Sequence, residues 1–267
     1  MTNNRTPPFA VITGASRGIG AEYARALANE GYDLLLIGRD MTRLETLRQE
    51  LLHENQREVW MESLDLSQPQ AAERLHELAQ SCRSEISLLI NNAGFGMYGD
   101  FAEMPQIKIR EMLQLHMNTV VESVRLFLPA MLARKQGTII TVASVAGFFP
   151  IPYMTEYAAT KAFLIAFSEG LARETQNQDV TIQACCPGFT ETDFHQSAGH
   201  QPKHVVSGQS AQLVVQTSLQ ALKSKRTLVT IGWQGRLALW ISKLIPHSIM
   251  MAIAGKAVKP PSATHLK

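Results

Sequence analysis

Short apolar runs alternate with longer stretches in which apolar residues recur every three or four positions, from residue 9 almost to the C-terminus. The runs are FAVIT (9–13), DLLLIG (33–38), VWMESLD (59–65), ISLLIN (86–91), GTIITVA (137–143), VTIQACC (180–186) and TLVTIG (227–232). Several are apolar at successive positions, so both of their faces must be covered, as in a parallel strand between two helical layers. Between them, TRLETLRQELLHE (42–54) places Leu44, Leu47, Leu51 and Leu52 on one helical face, and residues 106–135 and 155–177 read as long helices. No linker rich in Pro, Gly or Ser breaks the series, and no repeat is visible. The pattern predicts an α/β chain with a doubly wound Rossmann fold, a seven-stranded parallel sheet with helices on both faces. One domain is expected over 1–232, followed by an amphipathic tail over 233–267 packed on that domain or on a partner.

The tail reads WQGRLALWISKLIPHSIMMAIAGKAVKPPSATHLK, with Leu237, Trp240, Ile241, Leu244 and Ile245 on one stripe until Pro246 breaks it. Lys243, Pro246 and His247 interrupt the apolar run, which argues against a membrane-spanning helix. Three uses stay open: packing on a partner subunit or over a substrate cleft, peripheral contact with a membrane through 233–257, or plain core packing.

Composition narrows the function classes. A formal net charge of +2, from 25 basic and 23 acidic residues, gives no electrostatic reason to expect nucleic acid as a partner. Three cysteines, two of them the adjacent Cys185 and Cys186, make no disulfide framework, and reduced thiols suit a cytoplasmic location. The opening MTNNRTPPFAVITG has no long apolar stretch before the first strand, so no secretory signal is expected. His195, His200 and His204 lie in the polar stretch HQSAGHQPKH, whose undemanding spacing gives no reason to expect a metal.

Two stretches carry chemistry. After the first strand, TGASRGIG places glycines at 14, 18 and 20 ahead of a helical pattern. Such a turn lets the backbone approach a pyrophosphate, whose charge is stabilised by the N–H groups opening the helix. In YMTEYAATKAF, Tyr153, Tyr157 and Lys161 stand four residues apart, which on a helix aligns two possible acids with one cation.

The spacing Gly-x3-Gly-x-Gly, together with NNAG (91–94), Ser144 in VASVAG, Tyr157 and Lys161 in YAATK, and PG (187–188), resembles the short-chain dehydrogenase/reductase family over about residues 9–232. The resemblance implies an NADP(H)-dependent oxidoreductase that moves hydride between nicotinamide and a ketone or secondary alcohol. It assigns catalysis to Asn118, Ser144, Tyr157 and Lys161. Tyr157 would be the acid, with Lys161 favouring its phenolate, Ser144 orienting the substrate oxygen and Asn118 supporting a water that links Lys161 to solvent. Tyr153, two turns from the lysine, becomes a wall of the substrate site beside Ser144 and Tyr157.

For the cofactor, the resemblance implies Gly14, Ser16, Arg17, Gly18, Ile19 and Gly20 at the phosphates and Asp65 and Leu66 at the adenine. Asn92, Ala93 and Gly94 would lie along the adenosine, and Tyr157, Lys161, Pro187, Gly188, Thr190 and Thr192 near the nicotinamide. At the end of the second strand, IGRD offers Arg39 where a carboxylate would serve NAD; with Arg17 it suits a 2′-phosphate and hence NADP(H). Asp40, next along, is within reach of a 2′-hydroxyl. The expected substrate is a small apolar or acyl-chain carbonyl, with 3-oxoacyl thioesters one possibility, and the expected assembly a homodimer or homotetramer. The alternatives are a cofactor-binding sensor or scaffold without turnover, or a membrane-peripheral reductase of lipid or steroid ketones.

Overall fold

The structure is a computed structural model that describes residues 6–55, 57–192 and 208–244, together with 249 and 251. Seven strands form one sheet in the order β3-β2-β1-β4-β5-β6-β7, every neighbouring pair parallel. They are β1 (Phe9–Thr13), β2 (Asp33–Gly38), β3 (Val59–Ser63), β4 (Leu88–Asn91), β5 (Gly137–Val142), β6 (Val180–Cys186) and β7 (Leu228–Thr230). Each lies inside its predicted run. Because β1 and β2 are buried at every position, their sequences could not alternate apolar with polar.

The helices are α1 (Gly18–Asn29), α2 (Met41–Glu54), α3 (Ala71–Cys82), α4 (Gln106–Leu113), α5 (Thr119–Ala133), α6 (Thr155–Glu174), α7 (Ala211–Leu222) and α8 (Gly232–Leu244). Two apolar cores form on the two faces of the sheet. Ile12, Leu34, Leu36 and Ile140 meet Tyr23, Leu44, Leu47, Leu51 and Val214 on one; Val11, Leu35, Leu89 and Ile139 meet Leu75, Val124, Phe127 and Leu164 on the other. Alternate residues of each strand thus serve opposite helical layers. In α2 the predicted stripe is one residue too wide, since Leu44, Leu47 and Leu51 are buried but Leu52 is exposed.

The long pattern 106–135 is not one regular helix. Between α4 and α5 the backbone opens into a turn of π-helix, Gln114–Asn118. The turn shifts the inward face by about one residue within a stretch already apolar at Met112, Leu113, Leu115 and Met117, so the sequence does not announce it. The expected tail is represented by α8, which packs by its buried Gly235 against Thr230 and Val145; Ile245, Pro246 and His247 lie outside the described residues.

Candidate active site

All strands point the same way, so the loops leaving their carboxyl ends gather at one rim, beside the β1/β4 boundary where strand order reverses. A cleft of about 880 Å³ opens there. Its first half is backbone. Gly14 and Gly18 take the left-handed φ values of +65° and +57°, and a Cβ on Gly14 would stand 2.9 Å from the Ala93 Cα. Gly20 does not line the cleft; it lies beneath the turn, where a Cβ would come within 2.2 Å of the Gly14 carbonyl oxygen. The turn is held from below by Asn92, whose Nδ2 donates to the carbonyls of Thr13 at 2.9 Å and Gly14 at 3.1 Å, while Thr13 Oγ1 accepts from the Asn92 N–H at 2.9 Å. Asn92 therefore braces the loop while lining the cleft with Ala93 and Gly94. Ser16, Arg17, Gly18 and Ile19 line the phosphate end, where the N–H groups of the first turn of α1 collect.

At the ribose end the cleft is walled by Arg17, Arg39, Asp40 and Arg43, with Asp65 and Leu66 beyond. Asp40 caps α2: its Oδ1 accepts from the Arg43 N–H at 3.0 Å and its Oδ2 pairs with Arg43 Nε at 3.3 Å. Both carboxylate oxygens are thereby engaged, and Arg43, which the sequence reading missed, joins the guanidinium cluster. Burial pushes the Asp65 carboxyl up, but hydrogen bonds from Ser67 and Gln68 and the nearby Arg39 outweigh it and hold the group below its ordinary range. These residues fit a dinucleotide: small and left-handed where a pyrophosphate must pass, basic where it must end.

The second half of the cleft is chemical. Ser144 leaves β5 as the cap of a short 3-10 turn, Val145–Phe148, its Oγ accepting from the Ala146 N–H at 3.1 Å. Tyr157 enters from the first turn of α6, is 8% exposed and hydrogen-bonds Ser144. One helical turn on, the buried Lys161 Nζ donates to the Val142 carbonyl at 2.8 Å and stands 5.6 Å from the Tyr157 ring centre. Burial lowers its ammonium from 10.5 to about 8. Burial also dominates at Tyr157 and pushes its hydroxyl up against the opposing bond from Ser144. The expectation that Lys161 tips this group toward phenolate is thus not met by the protein alone: the phenol is held protonated, as a proton donor must be.

Two further expectations need correction. Asn118 ends the π-turn with its side chain exposed, and its Nδ2 donates to Gln114 Oε1 at 3.0 Å, so its carboxamide does not reach the cleft or support a water there. Tyr153 is not on the helix: α6 starts at Thr155, Tyr153 sits at φ +64°, and it is absent from the lining of the cleft. The four-residue line therefore joins only Tyr157 and Lys161. The apolar wall is instead Phe95, Met97, Tyr98, Leu115, Ile151 and Met154, and the half-buried Tyr98 lies near enough to Tyr157 to raise its pKa further.

Pro187, Gly188, Thr190 and Thr192 all line the cleft. Thr190 Oγ1 is used internally, donating to the Gly188 carbonyl at 3.2 Å, whereas Thr192 closes over Gly18, its Cγ2 lying 3.1 Å from where a Cβ on that glycine would be. His195, His200 and His204 fall outside the described residues.

Sequence reasoning overlooked His116, delivered inward by the π-turn and 1% exposed. Its Nε2 accepts from the Phe95 N–H at 3.1 Å, so the proton sits on Nδ1, which donates to Thr160 Oγ1 at 3.0 Å; Thr160 in turn donates to the Tyr157 carbonyl at 2.8 Å. Burial, with the charge of Lys161, drives its pKa well down and keeps the ring neutral. The imidazole ties the loop after Gly94 to the helix that carries Tyr157. A histidine two residues before Asn118 in an apolar pattern was the only available signal.

The chain is similar to known proteins in sequence and in fold. The sequence model of the family described as short chain dehydrogenase matches residues 8–203. The very-long-chain 3-oxoacyl-CoA reductase-A of Danio rerio is 34% identical over 188 residues, 69% of this chain but only 58% of that protein. Among solved structures, a short-chain dehydrogenase from Sphingobium yanoikuyae in complex with NADPH superposes with a TM-score of 0.80 at 28% identity, covering 97% of this chain and 98% of that one. The bulky-bulky ketone specific alcohol dehydrogenase from Comamonas testosteroni follows with 0.76, 26% and 97% of both chains. With the glycine turn, the Ser144, Tyr157 and Lys161 cluster and the strand order all in place, the chain belongs to the short-chain dehydrogenase/reductase family of oxidoreductases.

Proposed function

We propose that the protein is an NADP(H)-dependent reductase of apolar or acyl-chain ketones, also able to run as a secondary-alcohol dehydrogenase. The observation that carries this reading is the Tyr157 hydroxyl, kept protonated by burial and bonded to Ser144 in the half of the cleft beyond the glycine turn. When bound, the nicotinamide supplies hydride from C4 to the carbonyl carbon, or takes it back in oxidation. Ser144 and Tyr157 would hold the carbonyl oxygen at hydrogen-bond distance. As the C=O π pair moves onto that oxygen, the Tyr157 proton is transferred to it and the phenolate left behind lies one turn from the Lys161 ammonium. Lys161 is the residue to hold the nicotinamide ribose hydroxyls, and Thr192 the nearer donor for the carboxamide.

Arg17, Arg39 and Arg43 support NADP(H) over NAD(H), because a 2′-phosphate meets guanidinium groups while the nearby acids already have partners, Asp40 in Arg43 and Asp65 in Ser67 and Gln68. The Phe95, Met97, Ile151 and Met154 wall supports an apolar substrate. It agrees in kind with the 3-oxoacyl-CoA and bulky ketone substrates in the names of two similar proteins. The free thiols Cys82, Cys185 and Cys186 suit a reducing cytoplasm, and the proposed assembly is a homodimer or homotetramer, which light scattering measures directly.

The test is NADPH oxidation, followed at the nicotinamide band, with a panel of ketones, aldehydes and 3-oxoacyl thioesters. We expect turnover with apolar ketones, and in Tyr157→Phe a loss of about 10²- to 10⁴-fold in kcat with NADPH affinity nearly unchanged. NADPH binding without turnover of any member of the panel replaces this reading with that of a cofactor-binding sensor.

A further inference from the structure

Large exposed apolar side chains gather on the surface of α8. Trp233, Leu237, Trp240 and Leu244 are spaced 4, 3 and 4 residues apart, so they share one face. Their exposures are 68, 48, 69 and 67%. The opposite side packs inward through the buried Gly235, while Ile241 is only half-buried, so the outward stripe differs from the one expected of the sequence by gaining Trp233 and losing Ile241. Ile249 and Met251, 51 and 40% exposed, add apolar surface beyond the helix.

Charge is distributed unevenly in the same direction. Residues 194–267 contain no Asp or Glu and nine Lys or Arg; the first 193 residues hold the other 16 basic residues against all 23 acidic ones, a net charge of −7. The small overall charge conceals a basic C-terminal part, of which Lys223, Arg226 and Arg236 are exposed.

From this combination we propose that α8 is a docking element for an anionic phospholipid surface. It lies in the plane of the interface with the Trp and Leu stripe at the boundary of headgroups and acyl chains. Tryptophan suits that depth because its ring is apolar and its N–H stays wet. A stripe of this kind in an acid-free, net-basic segment binds by buried apolar area plus attraction to anionic lipid. No helix among the described residues is long and apolar enough to cross a membrane, and the docking proposed is peripheral. A second copy of the chain is the weaker occupant, because a twofold interface would set this acid-free segment against itself. The inner side of α8 touches Val145, on the turn that follows Ser144, so docking would place the apolar end of the cleft beside the bilayer. The inference is independent of the catalytic reading, since its readout is binding.

The experiment is co-sedimentation of the full chain with vesicles of phosphatidylcholine mixed with phosphatidylglycerol, against phosphatidylcholine alone, at low and high salt. We expect sedimentation with the anionic vesicles, weakened by salt, and a blue shift in tryptophan emission, to which only Trp60 contributes besides Trp233 and Trp240. The double variant Trp233→Ser, Trp240→Ser should lose about tenfold or more in vesicle affinity while keeping the wild-type circular dichroism and melting point. Absence of sedimentation, or sedimentation that neither the lipid exchange nor the double variant changes, overturns the proposal. A change in the particle mass of the double variant without vesicle binding by the wild type would instead assign the stripe to a second copy.

Discussion

Asp40 illustrates how a single side chain can be misjudged from its position alone. In the sequence it stands beside Arg39 as a rival for the ribose; in the structure it caps α2 and pairs with Arg43, so each of its oxygens has a partner within the protein. Arg39→Ala should therefore weaken NADPH by about 10- to 100-fold and NADH far less, as the 2′-phosphate loses a charge partner. Arg43→Ala should act in the same direction while leaving the cap of α2 in place, since Asp40 accepts there from the backbone N–H of residue 43. Equal losses for both dinucleotides in a titration of each variant would refute the assignment. Arg17 and Arg39 were legible because they lie in the glycine turn and at a strand end, where the fold dictates what they meet. Arg43 was not, since only the first turn of a helix folds it back toward the cleft. The error over Tyr153 has a similar origin: counting by fours is valid only inside a helix, and the helix begins two residues later.

Among the elements, the strands were the easiest to read and the join between α4 and α5 the hardest. A buried parallel strand announces itself by an unbroken apolar run, and each observed strand falls within its predicted span. The π-turn at Gln114–Asn118 changes which side of the chain faces inward without disturbing the apolar rhythm, so Asn118 was expected in the cleft and His116 was not expected at all. Because His116 joins the Phe95 loop to α6 through Thr160, it is a positioning residue whose loss should loosen the cofactor loop against the acid. His116→Ala should lower kcat by roughly tenfold with a smaller change in NADPH affinity, and His116→Asn, which keeps a donor and an acceptor, should recover part of it. A fall in melting temperature with kcat intact in both variants would mark the residue as merely structural.

For the whole molecule, one buried cation couples the site to stability. Lys161 titrates at about 8 when folded, against an ordinary 10.5. Below pH 8 both folded and unfolded chains hold the proton and the burial cost is present in full. Between pH 8 and 10.5 the folded chain has released it while the unfolded chain keeps it, so the contribution of Lys161 to stability rises with pH. Tyr157 and Cys185, both pushed up by burial, act in the opposite sense at the alkaline end, so the isolating comparison is with Lys161→Met. Denaturant unfolding of the protein without cofactor should show wild type gaining on Lys161→Met from pH 8 to 10.5; parallel curves would contradict the shift. Overall architecture was readable because seven apolar runs separated by helices admit few arrangements. The destination of α8 was not, because an amphipathic stripe reports that a face is apolar and leaves open what covers it.

The engagement of Asp40 has a practical consequence for cofactor engineering. Deleting Arg39 alone would produce an enzyme poor with NADPH but no better with NADH, since no carboxylate is released to receive a 2′-hydroxyl. The place to install one is Gly38, at the tip of β2: its φ is ordinary, and a Cβ there would meet Ser16 and Leu44 at 3.4 and 3.5 Å, normal contact distances. Combining Gly38→Asp with Arg39→Ala is the economical route to an NADH-using variant, and the ratio of kcat/KM for the two cofactors is its measure.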